Sequence, residues 1–98
     1  MVLTKKAYLI RDDEMVEIDK DDFIIGRANH LNLDLNIQNN MISRLHCRIT
    51  KEHDHYYVED LQAMNGTYIN NERLIEKTRI EDGQTLTFAD VSYIFRII

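Results

Sequence analysis

An all-β domain, either a sandwich or a barrel, is what this sequence predicts, and three observations carry that expectation. Short runs rich in β-branched and aromatic residues recur at roughly 8–12-residue spacing, the mark of many short strands. Polar turn signals separate the runs, with Asn65-Gly66 and Asp82-Gly83 the strongest of them. The 98 residues hold no proline and only three glycines, and show neither a low-complexity linker nor an internal repeat.

The elements follow in order. KAYLI (6–10) reads as a strand, RDDE as its turn and MVEI (15–18) as the next strand. The acidic stretch Asp19–Asp22 lacks the glycine and terminal glutamate of a calcium loop and reads as a charged hairpin tip. FIIGR (23–27) is a third strand, and LDLNI (33–37) leads through QNN to MIS. In LHCRI (45–49) Leu45, Cys47 and Ile49 alternate with His46, Arg48 and Thr50. Ile42, Leu45 and Ile49 also fit a helical spacing, but the residues between them are mediocre helix formers and the neighbours read as strand. HYYVEDL (55–61) follows the turn KEHD, and TYIN (67–70) follows Asn65-Gly66. NNERLIEKTRI (70–80) reads as mostly loop with a short edge strand, before QTLTFA (84–89) and SYIFRII (92–98). Alternation places Leu9, Ile25, Cys47, Ile49, Val58, Ile69, Leu86, Phe88 and Phe95 between two layers.

Composition narrows the function classes. The length fits one domain spanning 1–98, with 44% hydrophobic and 30% charged residues, a globular balance. A net charge of −5 is the wrong sign for a general nucleic-acid or anionic-membrane binder, so any bound anion must be held locally. The single cysteine, Cys47, excludes an internal disulfide and fits a reducing compartment. No apolar run approaches a membrane span, and the N-terminus lacks a signal-peptide h-region. Cytoplasm is the expected location.

Catalysis finds little support. Ser43 and His46, if both lay on one strand, would point to opposite faces, out of the reach a nucleophile and base require. No G-x-S-x-G elbow accompanies them. His53 and His55 do not complete a tetrahedral metal site and read as a solvated turn. Asn65-Gly66-Thr67 is a formal glycosylation acceptor, relevant only to a secreted chain.

The combination of motifs is more specific than any one of them. Gly26-Arg27 ends one strand, Ser43-Arg44-Leu45-His46 begins another, and Asp60…Asn65-Gly66-Thr67…Asn70 follows the next. In this order and spacing they resemble the forkhead-associated domain family, with its G-R, S-x-x-H and D-x-x-x-x-N-G-T-x-x-N pattern. IEDGQTLTF and SYIFRI fit that family's later hairpin and closing strand.

The resemblance implies a sandwich of about eleven mostly antiparallel strands in two sheets, with both chain ends at one pole. It implies a monomeric interaction module, not an enzyme, within a larger protein of Ser/Thr phosphorylation signalling. Its loops would bind a phosphothreonine peptide without cofactor or metal. Arg27, Ser43 and Arg44 would hold the phosphate and Asn65 the peptide backbone. Gly26, His46 and Asn70 would brace the loops, while Gly66 and Thr67 shape a hairpin. Met64 stands where relatives often carry a hydroxyl residue that joins the phosphate. A degenerate domain binding its partner without phosphorylation is the alternative. Met41 and Ile42, just before the S-R-x-H stretch, imply an apolar preference three residues after the phosphothreonine.

Overall fold

The computed structural model describes residues 5–29 and 31–98 and contains eleven strands and no helix among them. They are β1 (Ala7–Arg11), β2 (Glu14–Ile18), β3 (Asp22–Gly26), β4 (Leu35–Asn36), β5 (Cys47–Glu52) and β6 (His55–Asp60). There follow β7 (Thr67–Ile69), β8 (Glu72–Arg73), β9 (Thr78–Ile80), β10 (Thr85–Phe88) and β11 (Val91–Ile97). One sheet runs β2-β1-β11-β10-β7-β8 and the other β4-β3-β5-β6-β9. Every pairing is antiparallel except β3 with β4.

Alternation explains the core between the sheets. The nine expected core residues are all buried, none more than 7% exposed. Tyr56 meets Phe95 edge-on at 5.4 Å, and Phe88 tilts against Tyr93 at 5.9 Å. A buried side chain of this size stabilises by about 1.5–3 kcal/mol over an exposed one.

The turns are built differently from the expectation. Two-residue loops join β1 to β2, β5 to β6, β7 to β8 and β10 to β11. In His53-Asp54 and Asn70-Asn71 both residues have positive φ, at 51° and 68° and at 50° and 69°. That is the requirement of a type I′ turn, whose twist suits a hairpin. Asn65-Gly66 and Asp82-Gly83 close no hairpin, because β6 and β7, like β9 and β10, lie in opposite sheets. Asp19–Asp22 is likewise no hairpin tip, since it crosses from β2 in one sheet to β3 in the other. Gly66 and Gly83 still need their glycine φ, at 78° and 91°.

Two strand expectations shrink. LDLNI contributes only Leu35–Asn36, and β5 begins at Cys47, leaving Leu45 49% exposed in the preceding loop. The segment 70–80 yields β8 and β9, each an edge strand of its sheet.

This topology defines two poles. Gly26, the start of β5, the end of β6 and the start of β7 lie together, as the register Ile25↔Cys47↔Asp60 requires. At the opposite pole Ile98 exchanges backbone hydrogen bonds with Lys6. Met1, expected there too, lies outside the described residues.

Candidate functional site

The site begins where β3 ends. A Cβ on Gly26 would run into the Arg44 carbonyl, so only glycine allows this approach of two backbones. The contact brings the Arg27 N–H to the carbonyls of both Ser43 (3.1 Å) and Arg44 (3.2 Å). Arg27, half-buried, also donates Nε to the Ile42 carbonyl at 2.9 Å. A guanidinium has five N–H donors, so this bond uses one of them. Ion pairs among the described residues use Lys20, Arg48, Lys77, Arg79 and Arg96, and neither Arg27 nor Arg44.

His46 organises the corner from beneath. It is fully buried, its Nδ1 accepting the Ser43 N–H at 3.1 Å and its Nε2 facing the Gly66 carbonyl at 2.7 Å. An amide can only donate and a carbonyl only accept, so these partners assign the proton to Nε2. The ring stands edge-on to Phe88 at 5.9 Å. The His46 backbone bonds Ile25 on one side and Leu61 on the other. Ser43 and His46 are therefore neighbours, because they lie in a loop rather than on one strand as the sequence reading supposed. They still form no nucleophile–base pair, since Nδ1 is occupied by the backbone amide.

Ser43 Oγ instead accepts the Met64 N–H at 3.1 Å. Its hydroxyl proton is then available to a ligand, fixed in direction by the accepted bond. Asn65, half-buried, donates Nδ2 to the Met41 carbonyl at 2.9 Å. Arg27, Ser43, Arg44, Met64 and Asn65 thus sit on three loops cross-linked into one corner. The Met64 side chain itself is 85% exposed. Ile42 is 1% exposed and belongs to the core, so it cannot read a peptide side chain; Met41, 46% exposed, can.

The remaining motif residues hold this frame. Gly66, buried, accepts from both His46 and the Ala89 N–H (3.0 Å). Thr67 is fully buried and donates Oγ1 to Asp60 at 2.7 Å, while the other Asp60 oxygen accepts the Ala63 N–H at 3.3 Å. Asp60 therefore ties both ends of the 61–66 loop. Asn70 acts elsewhere, exchanging Oδ1 and N–H bonds with Thr85 to fasten the β7–β8 hairpin onto β10.

Two bracing residues went unnoticed in the sequence. Asn36 bonds both the N–H (3.3 Å) and the carbonyl (2.7 Å) of Ala28, fixing the chain just after Arg27. Asp34 holds the Ile24 N–H at 2.8 Å. Nothing in their local sequence distinguishes them from other loop residues. Cys47 lies close by but is inert, because burial pushes its thiol far above the ordinary range.

A β-sandwich whose inter-sheet loops meet at one pole, with two arginines unpaired by any carboxylate among the described residues, defines an interaction domain with an anion-binding corner. The FHA domain family model matches residues 23–89, and the chain belongs to that family of interaction modules. The chain is 34% identical over 62 residues to Protein FraH of Nostoc sp., a match covering 58% of this chain and 22% of FraH. Among solved structures it superimposes on Mycobacterium tuberculosis EmbR in complex with a low-affinity phosphopeptide, with a TM-score of 0.87 and 24% identity. That superposition covers 93% of this chain and 24% of EmbR. It also matches the MEK1 FHA domain in complex with a HOP1 phosphothreonine peptide, with a TM-score of 0.79, 24% identity and coverage of 93% and 95%. The chain thus spans about a quarter of the length of FraH and of EmbR.

Proposed function

We propose that this domain binds phosphothreonine peptides at the corner formed by Arg27, Ser43, Arg44 and Asn65. One observation carries the reading: the Arg27 amide bonds the carbonyls of both Ser43 and Arg44, so the three donor side chains leave one rigid backbone junction. A phosphothreonine brings about −1.5 to −2 charges and three acceptor oxygens. Guanidinium forks and a serine hydroxyl match those oxygens with charge-assisted bonds, enough to hold a dianion on a domain of net charge −5. Asn65, with Nδ2 committed to Met41, offers Oδ1 to a peptide N–H. The complexes formed by EmbR and by the MEK1 FHA domain support the same reading.

The domain acts as a monomeric part of a longer cytoplasmic protein in Ser/Thr phosphorylation signalling. The greater lengths of FraH and EmbR and the single reduced cysteine support that setting. Nucleic acid and membrane are not its partners, in keeping with its acidic charge.

Calorimetric titration of one peptide in four forms tests the proposal: phosphothreonine, phosphoserine, unphosphorylated and glutamate. The phosphothreonine form is expected to bind best. The γ-methyl is worth roughly 10- to 200-fold over phosphoserine where a fitted slot receives it. The glutamate form, with one charge and two oxygens, is expected to fail. Equal binding of phosphorylated and unphosphorylated peptides would refute the proposal and favour a phosphate-independent partner.

A further inference from the structure

Three large apolar side chains stand exposed among the polar groups of the corner: Met41 at 46%, Leu45 at 49% and Met64 at 85%. Single exposed apolar residues are ordinary on any surface. These three are interleaved with the proposed ligands, Leu45 between Arg44 and His46, Met64 between Ala63 and Asn65. Two of them are bonded to ligand residues through their own backbone. The Met64 N–H reaches Ser43 Oγ, and the Met41 carbonyl receives Asn65 Nδ2, which also lies 4.0 Å from Met41 Sδ. Their Cα positions are therefore fixed on either side of Asn65, while the side chains stay accessible.

A thioether gives a phosphate oxygen no proton, so Met64 adds nothing to phosphate binding. It does offer polarisable apolar surface on an unbranched, adaptable stem. Resting on the phosphothreonine reading of the corner, we infer that Met41 and Met64 form an apolar clamp for a large apolar residue adjoining the phosphothreonine. A peptide backbone bonded to Asn65 must pass between the two methionines, and its neighbouring side chain lands on one or both. An acidic side chain there would be desolvated against thioethers while both nearby arginines are engaged by phosphate. The specificity-determining residues are thus Met41 and Met64, separate from the groups that hold the phosphate.

The test uses phosphothreonine peptides with alanine at all other positions. Leucine, aspartate or lysine is then placed at each of the three positions on either side. Affinities are measured by calorimetry for wild type and for Met41→Ala/Met64→Ala, with melting curves for both. Wild type is expected to favour leucine over aspartate by about tenfold at an adjoining position, the worth of a partly buried leucine. In the double variant that ratio is expected to fall below about threefold, at an unchanged melting temperature. A ratio near one in wild type, or the same ratio in the double variant, overturns the clamp and leaves the phosphothreonine reading standing. Failure of every phosphorylated peptide to bind overturns both.

Discussion

Removing the His46 ring is expected to damage stability and binding together, and the structure sets the size of the effect. His46→Ala strips a partner from the Ser43 N–H and from the Gly66 carbonyl. An unsatisfied buried polar group costs about 1–3 kcal/mol. Gly66 keeps its bond from Ala89, and Ser43 is only half-buried, so both losses fall toward the lower end. The edge-on contact with Phe88 adds about 0.5–1.5 kcal/mol, and the cavity left in a fully buried site adds more. The sum is about 3–4 kcal/mol, against the ~5–15 kcal/mol that holds a domain folded. At ~4–8 °C per kcal/mol for a chain this short, melting should fall by roughly 12–30 °C. Conservative variants separate the two bonds. His46→Asn can place an oxygen near Nδ1 and keep the Ser43 amide, whereas His46→Gln can place its NH₂ near Nε2 and keep the Gly66 carbonyl. Asparagine is expected to recover phosphopeptide affinity more than stability, and glutamine the reverse. Differential scanning calorimetry paired with titration decides it. A His46→Ala protein that melts within a few degrees of wild type would show that the ring braces nothing.

Three further outcomes are expected. Arg27→Ala should cost phosphopeptide binding about 1.5–3 kcal/mol, or roughly tenfold to somewhat over a hundredfold. It should also lower melting slightly, because the bond to the Ile42 carbonyl goes with it; unchanged affinity by calorimetry would rule out Arg27 as a ligand. Gly26→Ala must displace the Ser43–Arg44 backbone, at about 1–3 kcal/mol in stability and a larger loss in binding, checked by melting and titration. Acid should weaken the fold through exposed carboxylates held below their ordinary pKa: Asp22 by its bonds to Arg48, Glu52 by Lys77, and Asp82 by the Ile97 N–H and then Arg96. A lowered folded pKa gives stability that is present above the ordinary values of 3.8 and 4.5 and is lost as pH falls through the folded values. Melting curves from pH 5 downward should therefore drop, and drop less steeply in Asp82→Asn.

The strands and core were legible because burial between two sheets imposes a period of two on the sequence. Leu86 and Phe88, like Cys47 and Ile49, could face the core in no other register. The path between strands was not legible. Asn65-Gly66 and Asp82-Gly83 announce a positive φ, yet the same φ serves a hairpin or a crossing to the opposite sheet. Three of the true hairpins carry positive φ on His53, Asn70 and Ala89, residues that give a weaker signal than glycine. Ala89 at 57° has no local reason at all, and its N–H bond to Gly66 shows that tertiary contact imposes the turn.

The site was readable for a different reason. Gly26, Ser43, His46 and Gly66 are each required by a specific bond or approach, so their spacing carries information that composition does not. Asn36 and Asp34 brace equally firmly, but a side chain that bonds backbone atoms leaves no periodic trace. Position 64 shows the consequence. Its loop is held by Asp60 at both ends, by His46 through Gly66, and by Ser43 through the Met64 amide. None of these bonds uses the side chain at 64. The loop can therefore exchange a hydroxyl for a thioether without changing its shape, and the exchange alters only what the corner presents to a peptide. Met64→Thr should accordingly leave melting unchanged, tighten an alanine-flanked phosphopeptide several-fold through one added hydrogen bond of about 0.5–1.5 kcal/mol, and weaken the preference for leucine. Tighter binding with the leucine preference intact would place the apolar recognition elsewhere.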